Sequence, residues 1–386
     1  MHSAALGCRD QLIRKVATEA AATEQAVLDL HNGLAQENLS LVLLFSAPRR
    51  STDDFATEVS RRFPGVPVIG CTTAGEITPD GYRNDSIVGI SFAAPDFHVA
   101  VKEIEDVRDF KLGDGRQLVM GCLHELDQKI PSWPIEKVFA MLLVEGCDAC
   151  EESVVSAIYR ELGPIPLFGG SAGDDLSFDI TKILFDGSFH RHAAVLVLMA
   201  TNHPFQVFKT EHFASADKKM VVTSADPARR IVTEINAEPA AEEYARTVGV
   251  TIDRLDPMIF ANHPVVVRVG NVPYVRSIQK VYADGSLKFY CAIDEGIVLT
   301  VAKGIDLEED LLRLFADIRE DIEAPEIVIG CECVLRNLEL RESGRLERVA
   351  RIMAENNVVG FNTYGEQYQA MHVNQTFTGV AIGRLT

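Results

Sequence analysis

The chain is short of positive charge: 37 lysine and arginine residues stand against 56 aspartate and glutamate residues, which gives a net charge of −19 at pH 7. Nucleic acids and anionic membrane surfaces are bound through a basic protein face, so neither is expected as a partner. No apolar run reaches the ~18 residues that a membrane-spanning helix needs. Residues 1–5 show no cationic region leading into an apolar one, so no secretory signal is indicated. We therefore expect a cytoplasmic protein without membrane insertion.

Several motifs of cofactor attachment and catalysis are missing. Glu151 follows the Cys-x-x-Cys stretch 147–150, so the Cys-x-x-Cys-His motif of covalent haem attachment does not occur. No P-loop, zincin pattern or Ser/His/Asp order is present. The glycine-rich stretch 169–173 is followed by acidic residues, which disfavours phosphate binding. We therefore expect a protein that is not an enzyme.

The eight cysteines are scattered along 386 residues, which indicates reduced thiols rather than a disulfide framework. Two close couples stand out, Cys147 with Cys150 and Cys331 with Cys333. Together they could offer four thiolates to zinc, but they lie far apart in the chain, so buried free cysteines are the favoured interpretation. Oxidation of Cys147 and Cys150 to a disulfide is a separate redox-sensing alternative.

The main positive feature is one phrase that occurs three times: an apolar strand, a glycine, a polar turn, a second glycine and an acid. The copies are residues 68–76, 167–174 and 358–366, and an apolar strand follows each of them. Glycine lets the chain leave a buried strand sharply, while hydroxyl and amide side chains can satisfy the freed backbone groups. Each copy is either a tight structural turn or one of three turns that together line a shared pocket.

The order of apolar and polar segments predicts the fold class. Strand–helix–strand–strand units occur twice in the first 200 residues, and a third cycle runs to the chain end. We predict an α/β protein with mixed β-sheets and flanking helices in two domains, residues 1–203 with two pseudo-repeats and residues 204–386 with the third. The second domain is expected to be sensory. Residues 10–32 are predicted to be helical from their alanine, leucine and glutamate content.

Four stretches resemble the FIST family, with an N-terminal FIST half and a C-terminal FIST_C half: residues 68–76, 168–175, 331–336 and 360–383. Within that family, segments 360–367 and 372–378 are similar to the NosP group of bacterial haem proteins, which sense nitric oxide. The resemblance implies binding of haem b and nitric oxide, and regulation of a partner histidine kinase or of a diguanylate cyclase or phosphodiesterase. Such signalling belongs to two-component systems and biofilm control. A homodimer is compatible with the sequence.

The resemblance makes His372 the candidate iron ligand, because it lies in the best-matched segment between the third phrase and the last strand. A haem b site needs one iron ligand, usually a neutral histidine, and an apolar slot. Tyr364 and Phe377 in the same segments are candidate haem contacts, and Arg336 could bind a propionate or an amino-acid carboxylate. Nitric oxide weakens the bond from ferrous iron to the opposite ligand, which would supply a switch. The alternatives are a core or pocket hydrogen-bonding histidine at 372 and a surface or intramolecular ion pair at Arg336.

Other histidines are weaker candidates. His203 and His263 share the context Asn-His-Pro and are predicted to be turn residues, and His212 follows an alternating strand and could face either side.

Two further functions stay open. The first is a haem-free sensory protein that binds an amino acid or a similar metabolite. The second is an enzyme that uses the acids of the phrases, Glu76, Asp174, Asp175 and Glu366, although their spacing selects no reaction.

Overall fold

A computed structural model describes residues 13–269 and 272–385. The chain forms three units of one element order: strand, helix, strand, helix and four strands. The first unit contains β1 Ile13–Thr18, α1 Thr23–Leu34, β2 Leu39–Ser46, α2 Asp53–Arg62, β3 Val68–Thr72, β4 Glu76–Thr78, β5 Gly81–Arg83 and β6 Ile87–Ala93. The second unit contains β7 Phe97–Ile104, α3 Asp114–Lys129, β8 Val138–Val144, α4 Glu151–Leu162, β9 Leu167–Ser171, β10 Ile183–Phe185, β11 Ser188–His190 and β12 Ala194–Thr201.

The third unit repeats this order around an insertion and has one additional helix. It begins with β13 Phe205–Glu211. The insertion then supplies β14 Phe213–Asp226, β15 Ile231–Ile235, β16 Glu238–Pro239, α5 Ala240–Val248, α6 Pro257–Asn262, β17 Val265–Val269, β18 Val272–Arg276, β19 Ile278–Val281, β20 Leu287–Phe289 and β21 Val298–Gly304. The unit closes with α7 Leu307–Ile322, β22 Pro325–Cys333, α8 Val334–Glu342, α9 Leu346–Glu355, β23 Val358–Thr363, β24 Glu366–Tyr368, β25 Met371–Val373 and β26 Thr376–Gly383.

The three units exchange hairpins in a ring. Each unit builds four strands of a six-stranded sheet and receives the last two from another unit. The first sheet has the order β1-β6-β2-β3-β10-β11, the second β25-β24-β9-β8-β12-β7 and the third β13-β26-β22-β23-β4-β5. The first unit thus gives its hairpin to the third sheet, the third unit to the second sheet, and the second unit to the first sheet. The insertion forms a separate eight-stranded sheet.

One glycine in each phrase lets two parallel strands approach closely. A Cβ on Gly70, Gly169 or Gly360 would lie 1.7, 1.9 or 1.8 Å from a carbonyl oxygen of the neighbouring strand. These glycines also occupy equivalent positions against the exchanged hairpins, facing Leu184, Gln367 and Ile77, respectively. The repeated glycine of the sequence is therefore a packing requirement at three equivalent places.

The core lies between the sheets. Inner faces of all three sheets contribute to one central apolar cluster, in which Phe45 of the first unit stacks on Phe361 of the third with ring centroids 4.5 Å apart. The outer faces are covered by helices α1 and α2, α3 and α4, and α7 and α9. Strands buried on both faces explain why the sequence shows continuous apolar runs. Within the described residues, no helix is both long enough and apolar enough to cross a membrane.

The mixed α/β fold class and the repeated units are confirmed. The predicted boundary at residues 203 and 204 falls between the second and third units, and it stays a prediction. The predicted helix over residues 10–32 is wrong from Ile13 to Thr18, where the chain forms β1, and residues 10–12 lie outside the described part. Strand β1 pairs antiparallel with β6, so a long-range sheet contact overrides the local helical composition.

Candidate functional site

The three phrases end in turns that meet, which we call the first corner (residues 72–76), the second corner (171–175) and the third corner (362–366). Each corner is hydrogen-bonded to both others through the backbone. The bonds run from Ala74 N to Asn362 O at 2.9 Å, from Gly173 N to Thr72 O at 2.9 Å and from Ser171 N to Gly365 O at 2.8 Å. The corners are therefore in direct contact, while their lining of one shared pocket stays a prediction.

The acids of the first and third corners have a structural role, because each holds two separate parts of the chain together. Glu76 and Glu366 each accept hydrogen bonds from a threonine hydroxyl three positions earlier and from the backbone N–H and hydroxyl of a residue ten positions later. The partners are Thr73 and Ser86 for Glu76, and Thr363 and Thr376 for Glu366. Burial raises the pKa of Glu76 to about 7 and that of Glu366 to about 8.

The acid of the second corner organises the loop that follows it. Asp174 accepts hydrogen bonds from the backbone N–H groups of Phe178, Asp179 and Ile180 at 2.7–2.8 Å. The hydroxyl of Tyr364 also donates to this carboxylate. Tyr364 thereby joins the third corner to the second, with its ring stacked on that of Phe178 at 4.4 Å.

A cleft with a volume of about 470 Å³ opens beside the first and second corners, and helix α8 forms one of its walls. We call it the corner cleft. It is lined by Arg49, Ala74, Asn84, Asp85, Asp175, Leu176, Val334, Asn337, Leu338 and Arg341.

Helix α8 presents polar groups to the corner cleft. Arg341 donates from Nε to Asn337 Oδ1 at 2.6 Å and from Nη2 to Asn84 Oδ1 at 3.1 Å. Asn337 is buried, and its Nδ2 has no hydrogen-bond partner. An unpaired buried donor costs about 1–3 kcal/mol, so Asn337 would gain from an acceptor supplied by a bound molecule.

The other side of the corner cleft carries charges of both signs. Arg49 forms an ion pair with Asp85, and 70% of the Arg49 side chain stays exposed. Asp175 lies in the left-handed region with φ of 56°. Partial burial and the neighbouring Asp174 raise the pKa of Asp175. The corner cleft thus combines two guanidinium groups, Arg49 and Arg341, with two carboxylates, Asp85 and Asp175.

The four residues predicted to hold haem have different surroundings. Phe377 packs against Phe208 and Phe315 between the third sheet and its helices. Tyr364 is held by Asp174 at the corners.

Arg336 is fully buried in a network that lies within the chain. Its Nη1 donates to His212 Nδ1 at 2.8 Å, and its Nε lies 3.4 Å from Glu332 Oε1. Glu332 also accepts from the Tyr82 hydroxyl at 2.7 Å, and His212 Nε2 donates to Glu339 at 2.7 Å. The intramolecular alternative for Arg336 is the one that these contacts match.

His372 lies on β25 and is 1% exposed, and burial lowers its pKa, which favours the neutral imidazole. Its Nδ1 lies 3.2 Å from Gln367 Nε2, while Nε2 has no hydrogen-bond partner. A ring nitrogen of His372, Cys291 Sγ and a carboxylate oxygen of Glu152 all lie within 4.8 Å of one another. Sequence reasoning missed Cys291 and Glu152, because they come from the insertion and the second unit and share no spacing motif with His372.

The surroundings of His372 do not fit haem b. A Cβ on Gly365 would lie 2.6 Å from His372 Nε2, so the backbone of the third corner closes off that nitrogen to a macrocycle. Charged side chains near His372 further disfavour an apolar slot, because Glu151, Glu152, Arg230 and Arg276 all act electrostatically on its imidazole.

The remaining histidine and cysteine candidates occupy separate places. His203 is buried and bridges the Gly383 carbonyl and Asp96 at 2.7 and 3.2 Å. Cys331 and Cys333 are buried on β22, while Cys147 is exposed. Among the described residues, the one group of three potential metal ligands contains Cys291 and neither predicted cysteine couple.

Comparisons with known proteins cover nearly the whole chain. The model of the FIST N domain matches residues 40–238, and that of the FIST C domain matches residues 240–369. The chain is also similar to a protein of Methanocaldococcus jannaschii named "Uncharacterized protein MJ1623". The two are 24% identical over 363 residues, which cover 83% of this chain and 69% of that protein.

Proposed function

Because this chain belongs to the FIST family, whose domains are sensory domains of signal transduction, we propose that it is a haem-free sensor that binds a free amino acid or a similar zwitterion in the corner cleft. The observation that carries the proposal is the pairing of two guanidinium groups with two carboxylates around one cleft of about 470 Å³. That volume lies in the range of small-molecule sites.

The charges match the two ends of a zwitterion. The planar guanidinium of Arg341 or Arg49 can bind a carboxylate through two parallel hydrogen bonds. Asp175 is suited to an ammonium group, whereas Asp85 is already paired with Arg49 and Arg50, and the unpaired Asn337 Nδ2 can donate to a carboxylate oxygen. Binding would therefore relieve an unpaired buried donor as well as form ion pairs.

Apolar residues complete the cleft. Ala74, Leu176, Val334 and Leu338 line it beside the charges, which suits a ligand with a short aliphatic side chain. The helix that carries four of the cleft residues, α8, also carries Arg336 and Glu339, which hold His212 directly before the inserted sheet. A ligand that shifts α8 would thereby reach the inserted sheet, which we propose as the route to a partner histidine kinase or cyclic-di-GMP enzyme.

Thermal unfolding with a panel of amino acids tests the proposal. A ligand that binds the folded state raises the melting temperature with the logarithm of its concentration. The Arg341→Gln and Asp175→Asn variants should each lose the shift. Arg61→Gln is the matched control, since Arg61 is exposed and pairs only with Glu58 on its own helix, and it should keep the shift.

Failure of every amino acid and related zwitterion to raise the melting temperature would contradict the proposal. A shift that survives in Arg341→Gln and Asp175→Asn would place the ligand elsewhere in the molecule.

Haem-based sensing of nitric oxide, the function implied by the NosP resemblance, is the second candidate. One observation favours it, the buried His372 Nε2 without a partner, and the contacts at Gly365 oppose it. The visible spectrum of protein supplied with haem decides: a Soret band that shifts with nitric oxide and is changed in His372→Ala would support it. A colourless protein would remove it.

A further inference from the structure

A second site lies apart from the corner cleft, where three parts of the chain meet. Glu152 is in the first turn of α4, Cys291 follows β20 of the insertion, and His372 is on β25 of the exchanged hairpin. One ligand atom from each lies within 4.8 Å of the other two. Cys291 and His372 are buried, whereas 26% of the Glu152 side chain is exposed and gives access from solvent.

The described part of the chain leaves several polar atoms around these residues without hydrogen-bond partners. His372 Nε2, Gln367 Oε1 and Asn374 Nδ2 are buried and have no hydrogen-bond partner among residues 13–269 and 272–385. Buried polar atoms are normally paired, so three such atoms around one histidine indicate a missing group. The Nδ2 atom of Asn374 and the Nε2 atom of His372 both lie close to Gly365, where an added Cβ would be 3.0 and 2.6 Å from them.

We propose that Glu152, Cys291 and His372 bind a divalent transition-metal ion, zinc in the first place. A histidine nitrogen, a cysteine sulfur and a carboxylate oxygen are ordinary zinc ligands, and three protein ligands leave the fourth tetrahedral position for water or another molecule. A single ion needs no slot of the size that a porphyrin requires. The thiolate makes magnesium and calcium unsuitable, since both prefer oxygen ligands.

Two side-chain amides, those of Gln367 and Asn374, can support the metal ligands by hydrogen bonds once each amide group has rotated. Gln367 Nε2 lies 2.9 Å from Ser171 Oγ and 3.2 Å from His372 Nδ1. When the amide turns over, Oε1 accepts from Nδ1–H, and His372 Nε2 keeps its lone pair for the metal. Asn374 Oδ1 accepts from the Cys291 thiol at 2.7 Å. Turning this amide places its N–H against the thiolate.

The charges balance when the ion binds. The thiol releases its proton to solvent, so one thiolate and one carboxylate neutralise a divalent ion. Arg230 remains paired with Glu151 at 2.6 Å. The metal-bound form thus gives His372 Nε2 a partner and joins the second unit, the insertion and the third unit at one point.

Titration of the chelator-treated full-length chain with Co²⁺ tests the site. We expect one ion per chain and a cobalt–thiolate charge-transfer band that Zn²⁺ abolishes. The band should be absent in Cys291→Ser and retained in Cys147→Ser, the matched cysteine control. Gln367→Leu removes a side chain that contacts the ligand His372 but does not itself bind the ion. It should weaken metal binding roughly 10–100-fold.

X-ray absorption of the zinc-loaded wild type gives a readout that does not depend on the folding of any variant. We expect one sulfur at about 2.3 Å together with nitrogen and oxygen at about 2.0–2.2 Å. A shell with no sulfur or with two, or a cobalt band that persists in Cys291→Ser, would overturn the assignment. The outcome is independent of zwitterion binding in the corner cleft.

Discussion

At the scale of single residues, the corners contain buried carboxylic acids whose partners all belong to the chain. Glu366 is fully buried, and two threonines satisfy its oxygens. The hydrogen bonds favour the ionised form, but desolvation is the larger effect and raises the pKa to about 8. Glu366 therefore holds a proton at neutral pH while it joins strand ends.

The raised pKa of Glu366 predicts a loss of stability with rising pH. The ordinary glutamate pKa is about 4.3, so between that value and the folded-state pKa of about 8 the folded protein binds a proton that the unfolded chain has released. The free energy of unfolding should then fall by up to about 1.4 kcal/mol per pH unit from this group. Glu366→Gln removes that contribution, so its stability should fall less steeply between pH 5 and pH 8.

Urea unfolding at several pH values measures this difference. Glu320→Gln, at an exposed position on α7, is the matched control and should keep the wild-type slope. Equal slopes for wild type and Glu366→Gln would show that Glu366 titrates normally in the folded protein.

At the scale of elements, the glycine in the middle of each phrase is fixed by strand spacing. Gly70→Ala would place a methyl group 1.7 Å from the Leu44 carbonyl oxygen, which belongs to the backbone of β2 and cannot move aside as a side chain could. We expect a loss of at least about 3 kcal/mol in the free energy of unfolding. Gly113→Ala is the control, because nothing lies within 4 Å of its added Cβ.

Denaturant unfolding of the two variants checks this prediction. A Gly70→Ala protein as stable as Gly113→Ala would mean that β2 and β3 can separate without loss.

The elements also show what local sequence can and cannot predict. Strands such as Val138–Val144 were found because burial on both faces leaves a continuous apolar run. Strand β1 was missed because β6, far along the chain, determines its conformation. Helix α8 was missed because it starts directly after β22 with no side-chain cap at Cys333, so the usual signal of a helix start is lacking.

The same contrast between local sequence and long-range packing holds for the candidate sites. The three corners could be predicted because one phrase repeats within the chain. The meeting of Glu152, Cys291 and His372 could not, because it depends on how the insertion and an exchanged hairpin pack on the second unit. Arg336 was found as a residue, but its partner His212 comes from a distant strand end.

At the scale of the whole molecule, hairpin exchange couples the two predicted domains. The β24-β25 hairpin completes the second sheet by pairing with β9, and the β4-β5 hairpin completes the third by pairing with β23. We expect neither fragment 1–203 nor fragment 204–386 to fold alone, whereas the two expressed together should reassemble. Circular dichroism and thermal unfolding of each fragment test this, with the intact chain as control. A cooperative transition in fragment 1–203 alone would contradict it.

The ring of exchanged hairpins has a consequence for chains that differ in the number of units. Within one polypeptide, each of the three units gives one hairpin and receives one, so the exchanges balance. A chain that lost one unit would have one hairpin with no sheet to join and one sheet that lacks its last two strands. Successive molecules could then pair head to tail into open filaments. The presence of all three units in one chain therefore protects this protein against polymerisation.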